Sequence, residues 1–242
     1  MNILYQLVDK ESGKVLLAAE DIRGFFVEQD LESADRFTFV KVRSIAHLRR
    51  KVEGVELQVV GRKQEPIGKY YLGRVEAAFR EMPEVGPGEH PDMEFLGYTW
   101  EYPRAGEIWK KWAVGVELGE WARQSTEWHE SWLHVVQNAW FTAGKRATRY
   151  QTGETVFLDG VASATPDAFY CALGETFNGP GGYFGATFEA LDECLQGARN
   201  DGTHPSRLVW RDYTTSREAL GDDFVDSIMA VFHKHGLTVQ PH

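Results

Sequence analysis

Apolar residues recur along this chain in two rhythms. In the first third they alternate with polar ones, as they do where one face of a strand is buried. The runs ILYQLV, KVLLAA, RFTFVKV and VELQVVG (55–61) each read as a strand. DKESG, closing on Gly13, turns the chain between the first two. SIAHLRRKV (44–52) predicts a short helix capped by Ser44, and YYLGRVEAAF (70–79) suits either strand or helix. Together these pieces predict an α+β domain over residues 1–85.

In the last third the rhythm becomes helical. TVFL (155–158) is a strand and Asp159-Gly160 a turn. Thr165 can cap a helix whose first residue is Pro166, with Asp167 at its positive end. Phe169, Ala172, Leu173 and Phe177 form its apolar face. NGPGG (178–182) is a loop, and a second helix follows with Thr187 as cap and Phe188, Leu191, Cys194 and Leu195 inward. After the strand RLVW (207–210), TTSREAL and GDDFVDSIMAVFHKHG are helical. Asp222 and Asp223 open the latter, Phe224, Ile228, Val231 and Phe232 point inward, and Gly236 stops it before LTVQ (237–240). Strands separated by helices favour parallel pairing. The reading for residues 152–242 is therefore α/β, a small parallel sheet with packed helices.

MPEVGPGEHPDMEF (82–95) reads as a loop or boundary, and TAGKRATRYQTGE (142–154) as a second boundary. The segment between, 86–151, is rich in tryptophan and partly helical: seven of the eight tryptophans lie from Trp100 to Trp140. Trp128, Trp132, Val135, Val136, Ala139 and Trp140 make a helical stripe, read first as packing. A ligand-binding aromatic wall and a protein interface are the alternatives.

Composition narrows the class. No apolar run reaches the length of a membrane span and no leader pattern opens the chain, which points to a cytoplasmic protein. Cys171 and Cys194 are too few for a disulfide framework and read as buried thiols. The formal charge of -10 is concentrated: residues 152–242 hold 13 acidic against 5 basic residues, and residues 1–151 hold 23 against 21. Such a field repels nucleic acid and attracts a basic partner. The basic LRRK (48–51) is too short to reverse that expectation.

Signals for catalysis fall short. His129 and His134 in HESWLH are five apart, where a zinc-peptidase helix needs four. GPGG lacks the rest of a phosphate loop, and His233 and His235 are badly spaced as ligands. No cofactor, metal site or catalytic residue is expected.

The helix after Thr187 carries the binding candidates. Its polar face shows Glu189, Asp192, Glu193 and Gln196. Like charges one turn apart cost about 0.2–0.5 kcal/mol, a cost that a cationic partner would turn into attraction. Just before it, Tyr183 and Phe184 stand among Gly181, Gly182 and Gly185, an aromatic turn expected to be exposed as an interface anchor.

These residues carry a resemblance. VFLDG, YFGATFEALDECLQG, LVWRDY and VDSIMAVF come in the order and spacing of the barstar family of ribonuclease inhibitors, over residues 154–240. The resemblance implies a small parallel sheet whose second helix and preceding loop plug the cleft of a basic, extracellular-type ribonuclease or related nuclease toxin. It makes Tyr183 the loop tyrosine, and Glu189 and Glu193 the two interface acids. Gly185, Asp192 and Gln196 complete the predicted contact. Two positions depart from the family: Asp192 stands where an interface aromatic is usual, and Lys234 near a further acidic contact. The expected function is that of a non-enzymatic immunity-type protein, a bacterial antitoxin. The alternatives are a binding or scaffold module that kept the fold, and a hydrolase housed in the Trp-rich segment.

Overall fold

The computed structural model describes residues 3–28, 36–46, 48–78 and 88–242. The chain forms two compact units, Met1–Gly115 and Val116–His242.

The first unit is a closed antiparallel barrel of β1 (Tyr5–Asp9), β2 (Val15–Arg23), β3 (Arg36–Ile45), β4 (Lys51–Val60), β5 (Pro66–Ala77) and β6 (Met93–Leu96), ordered β1-β2-β3-β6-β5-β4. Pairing Leu7 with both Leu17 and Leu57 stacks the apolar positions of three strands in register. The alternation seen in the sequence thereby becomes one interior, filled by Tyr5, Leu7, Leu17, Leu57, Phe37, Phe39 and Phe95. Helix α1 (Ala105–Trp112) adds Ile108 and Trp109 to this core. The Trp109 indole Nε1 donates to the Tyr70 hydroxyl at 2.7 Å. Its ring lies so close over Gly68 that a Cβ there would stand 2.5 Å from it.

Several expectations need correction. Ser44 caps no helix: β3 runs through it, pairing Ser44 with Ala18 and Ile45 with Leu17, so its backbone groups serve the ladder to β2. β4 then begins at Lys51; His47 lies outside the described residues. Residues 70–77 of the ambiguous run are strand, and Phe79 is outside the described residues. Of the loop expected over 82–95, residues 82–87 are likewise outside, whereas Met93–Leu96 is β6, bonded to β3 and β5. Four residues are too few to show a period in sequence; their two neighbours make them a strand. The division at Gly115/Val116 also falls inside the segment 86–151. Trp100, Trp109 and Trp112 belong with the barrel, and the later tryptophans with the second unit.

The second unit begins with short helical turns at Trp121–Arg123 and Thr126–Trp128, followed by α2 (His129–Thr142). Strands β7 (Thr155–Asp159), β8 (Arg207–Arg211) and β9 (Thr238–Pro241) form a parallel sheet in that order, with Thr155 opposite Arg207 and Arg207 opposite Thr238. Between β7 and β8 lie α3 (Pro166–Asn178) and α4 (Phe188–Asn200). Between β8 and β9 lie α5 (Tyr213–Leu220) and α6 (Asp222–Lys234). Mixed α/β architecture with a parallel C-terminal sheet is what the alternation of strand and helix implied.

Caps explain the helix starts. The Thr165 hydroxyl accepts the Ala168 N–H at 3.2 Å, and the Thr187 hydroxyl accepts that of Ala190 at 3.2 Å. Each such cap is worth about 1 kcal/mol. Phe169, Leu173 and Phe177 of α3, Leu191 and Leu195 of α4, and Val225, Ile228 and Phe232 of α6 are fully buried. On α6, Phe224 and Val231 are only partly covered, and Val225 takes the inward position expected of Phe224. The stripe on α2 is packing, as first read: Trp132, Val135, Val136 and Trp140 are buried.

Candidate functional site

Helix α4 turns Leu191, Cys194, Leu195 and Ala198 into the core and leaves Glu189, Glu193 and Gln196 outside. Glu189 sits in the first turn, where its own backbone N–H and the Thr187 hydroxyl hold its carboxyl below the ordinary value. Gln196 Nε2 donates to Asn200 Oδ1 at 3.0 Å. Neither Glu189 nor Glu193 has a basic partner among the described residues. Two carboxylates therefore face solvent one turn apart.

Asp192 behaves differently from its neighbours. One of its oxygens accepts from Lys234 Nζ at 2.6 Å and from the His235 ring Nε2 at 2.8 Å. The Lys234 bond first, and the His235 bond second, pull the Asp192 carboxyl below its ordinary value of 3.8. His235 is 4% exposed. The two positions expected to depart from the resemblance, Asp192 and Lys234, are thus partners in one ion pair. It ties α4 to the end of α6 and removes Asp192 from the free charge of the helix face. Sequence spacing of 42 residues gave no sign of it.

The glycine-rich turn is closely packed. Gly179, Gly181 and Gly185 have φ of +77°, +64° and +96°, which glycine alone adopts without strain. A Cβ on Gly182 would stand 2.6 Å from the Gly174 carbonyl oxygen, and one on Gly185 2.9 Å from the Leu191 nitrogen. The turn is pressed between α3 and the start of α4.

Tyr183 and Phe184 are correspondingly not exposed. They are 3% and 0% accessible, contrary to the expected anchor. Phe184 stacks on Phe177 with ring centres 3.9 Å apart. Tyr183 meets the edge of Phe141, from the last turn of α2, at 5.4 Å. Its carbonyl accepts from Asn178 Nδ2 at 2.8 Å, and Asn178 Oδ1 accepts the Tyr150 N–H at 2.8 Å. The aromatics that do reach solvent beside the turn are Phe141 and Tyr150, 47% and 49% accessible. Sequence reasoning passed over both. The available signal was an aromatic on the solvent side of α2, in line with exposed Glu130 and Gln137.

Five other titratable groups of this unit have structural explanations. Burial pushes the Cys171 thiol up and the Cys194 thiol up to about 12, so both are inert core groups. Burial pushes His134 down to about 4 and lowers His129, whose Nδ1 lies 3.3 Å from the Thr165 hydroxyl. Glu175, raised by burial, accepts from the Gly119 N–H at 2.9 Å and Trp121 Nε1 at 3.0 Å, and so fastens residues 119–121 to α3. Among the described residues no group of three His, Cys, Asp or Glu side chains is placed to hold a metal ion. No helix among them is long and apolar enough to cross a membrane.

What the arrangement offers is a surface: a pair of exposed carboxylates on α4, in a unit that also exposes Phe141 and Tyr150. No curated protein matches the chain, and no solved structure does. Residues 153–237, which contain β7, the capped helices and the acid face of α4, match the family described as Barstar (barnase inhibitor).

Proposed function

We propose that this protein inhibits a ribonuclease by occlusion, with α4 laid across the enzyme's basic cleft. The observation that carries the reading is the exposed pair Glu189 and Glu193, without basic partners among the described residues, on a helix within the matched segment. A ribonuclease cleft presents Lys, Arg and His to hold phosphate. Two carboxylates one helical turn apart, some 5–6 Å, are spaced to stand where successive phosphate charges would. Charge-assisted hydrogen bonds to such a cleft are about twice as strong as neutral ones. Occlusion asks no chemistry of the inhibitor, only a rigid surface; the close-packed turn and the Asp192–Lys234 tie supply that rigidity. The biological setting that fits is a bacterial cytoplasm, with the protein as an immunity partner to a secreted nuclease.

A second reading is favoured by two observations. Tyr183 is covered, and Lys234 brings a positive charge to the edge of the acid face. A binding module that kept the fold and lost nuclease recognition would tolerate both. The readings separate in one assay. The full chain is titrated into RNA hydrolysis by a panel of secreted basic bacterial ribonucleases, barnase among them. Stoichiometric inhibition of any member supports the inhibitor reading. Binding seen by calorimetry without inhibition supports the module, and inactivity throughout the panel at micromolar concentration sinks the inhibitor reading.

A further inference from the structure

We infer that the aromatic part of the nuclease-facing surface comes from outside the matched segment, from Phe141 of α2 and Tyr150 of the following connection. This rests on the inhibitor reading above. The Phe141 ring meets that of the buried Tyr183 edge-on, with centres 5.4 Å apart. The connection that carries Tyr150 lies against α4 one turn beyond Glu193, where a Cβ on Gly197 would stand 3.0 Å from the Ala147 carbonyl oxygen. Tyr150 is fixed to the glycine-rich turn through Asn178, which accepts its N–H and donates to the Tyr183 carbonyl. Its ring packs on the buried Trp140 at 5.6 Å, and its hydroxyl accepts the Arg146 N–H at 2.8 Å. Both rings are therefore held in one orientation while keeping about half their surface in water. Rigid, half-exposed aromatics beside unpaired acids have the composition of a binding anchor.

The partner this surface fits has a cationic cleft whose rim offers an apolar or planar wall to two rings. The acids meet the cleft's cations, and Phe141 and Tyr150 lie against the wall. Recognition is thereby moved off the turn tyrosine, whose place in the core makes it part of the scaffold.

The test uses full-length variants against the panel ribonuclease that the parent chain inhibits most strongly. Phe141→Ala and Tyr150→Ala are expected to raise the inhibition constant about ten- to a hundredfold each, a typical range for anchor truncation. Glu193→Gln should raise it comparably, and Tyr183→Phe by less than twofold. Urea midpoints are measured for every variant. If Phe141→Ala lowers its midpoint, Phe141→Leu replaces it, keeping Tyr183 covered while removing the ring. Loss with Glu193→Gln but inhibition within twofold of the parent for both aromatic variants overturns this inference and leaves the inhibitor reading standing. An unchanged constant with Glu193→Gln counts against the inhibitor reading itself, and an inactive parent chain sinks both.

Discussion

Replacing Asp192 by alanine cuts the tie between α4 and α6 at a point where the cost can be worked out. The carboxylate serves two donors. Lys234 is well exposed, so its share is that of a surface ion pair, about 0–1 kcal/mol. His235 is buried, and its other ring nitrogen, Nδ1, already has no partner among the described residues. Without Asp192 the buried ring would lose its remaining hydrogen bond, a cost of about 1–3 kcal/mol. The expected sum is about 2 kcal/mol. With a urea dependence of about 2 kcal/mol per molar, the midpoint falls by about 1 M, read by helix ellipticity because most helix lies in the second unit. The effect should depend on pH in a definite direction. Asp192 titrates below its ordinary value of 3.8 in the folded chain. Its contribution is therefore complete above that value and is lost as pH falls through the lower folded value. The gap between parent and variant should be present at about pH 5 and close in stronger acid. Midpoints that agree within 0.2 M at pH 7 (roughly 0.4 kcal/mol on the same slope), or a gap undiminished at the acid end, would refute the assigned role.

Four further outcomes are expected. Glu193→Gln should leave the unfolding free energy from urea titration within about 0.5 kcal/mol of the parent's, as for a surface change, while weakening inhibition; added salt should narrow the difference between the two proteins. Gly174→Ala places a Cβ against the Gly182 carbonyl and should destabilise the second unit by about 1–3 kcal/mol, as overpacking does; a midpoint equal to the parent's would show that the turn yields. Phe184→Ala removes the ring stacked on Phe177 and should cost about 3–5 kcal/mol, measured in the same titration. Cys171 and Cys194 should resist Ellman's reagent in the native protein at pH 8 and react fully in denaturant; fast native reaction of Cys194 would contradict its burial and raised pKa.

Legibility in the sequence followed the range of the forces involved. Thr165 and Thr187 announce their helices because a cap and its N–H partner are three residues apart. The inward sets Leu191, Cys194 and Leu195 on α4, and Trp132, Val136 and Trp140 on α2, were readable because a helix repeats its face over a few residues. The order strand, helix, strand also limited the C-terminal sheet to parallel pairing. The acid face of α4 came from the same periodicity, since whatever one side of a short helix buries, the other must show.

Tertiary structure decided the rest. Residues 44–46 lost their helical reading to a ladder with β2, and Met93–Leu96 became a strand only by joining β3 and β5. Tyr183 looked like a loop aromatic until α2, some 40 residues earlier, laid Phe141 across it. Asp192 and Lys234 looked like separate departures until α4 and α6 brought them to 2.6 Å. By itself the sequence determined which faces are apolar and where the helices start, because those depend on neighbours along the chain. Which rings reach solvent and which charges are cancelled depend on neighbours through space, and only the folded chain supplies those.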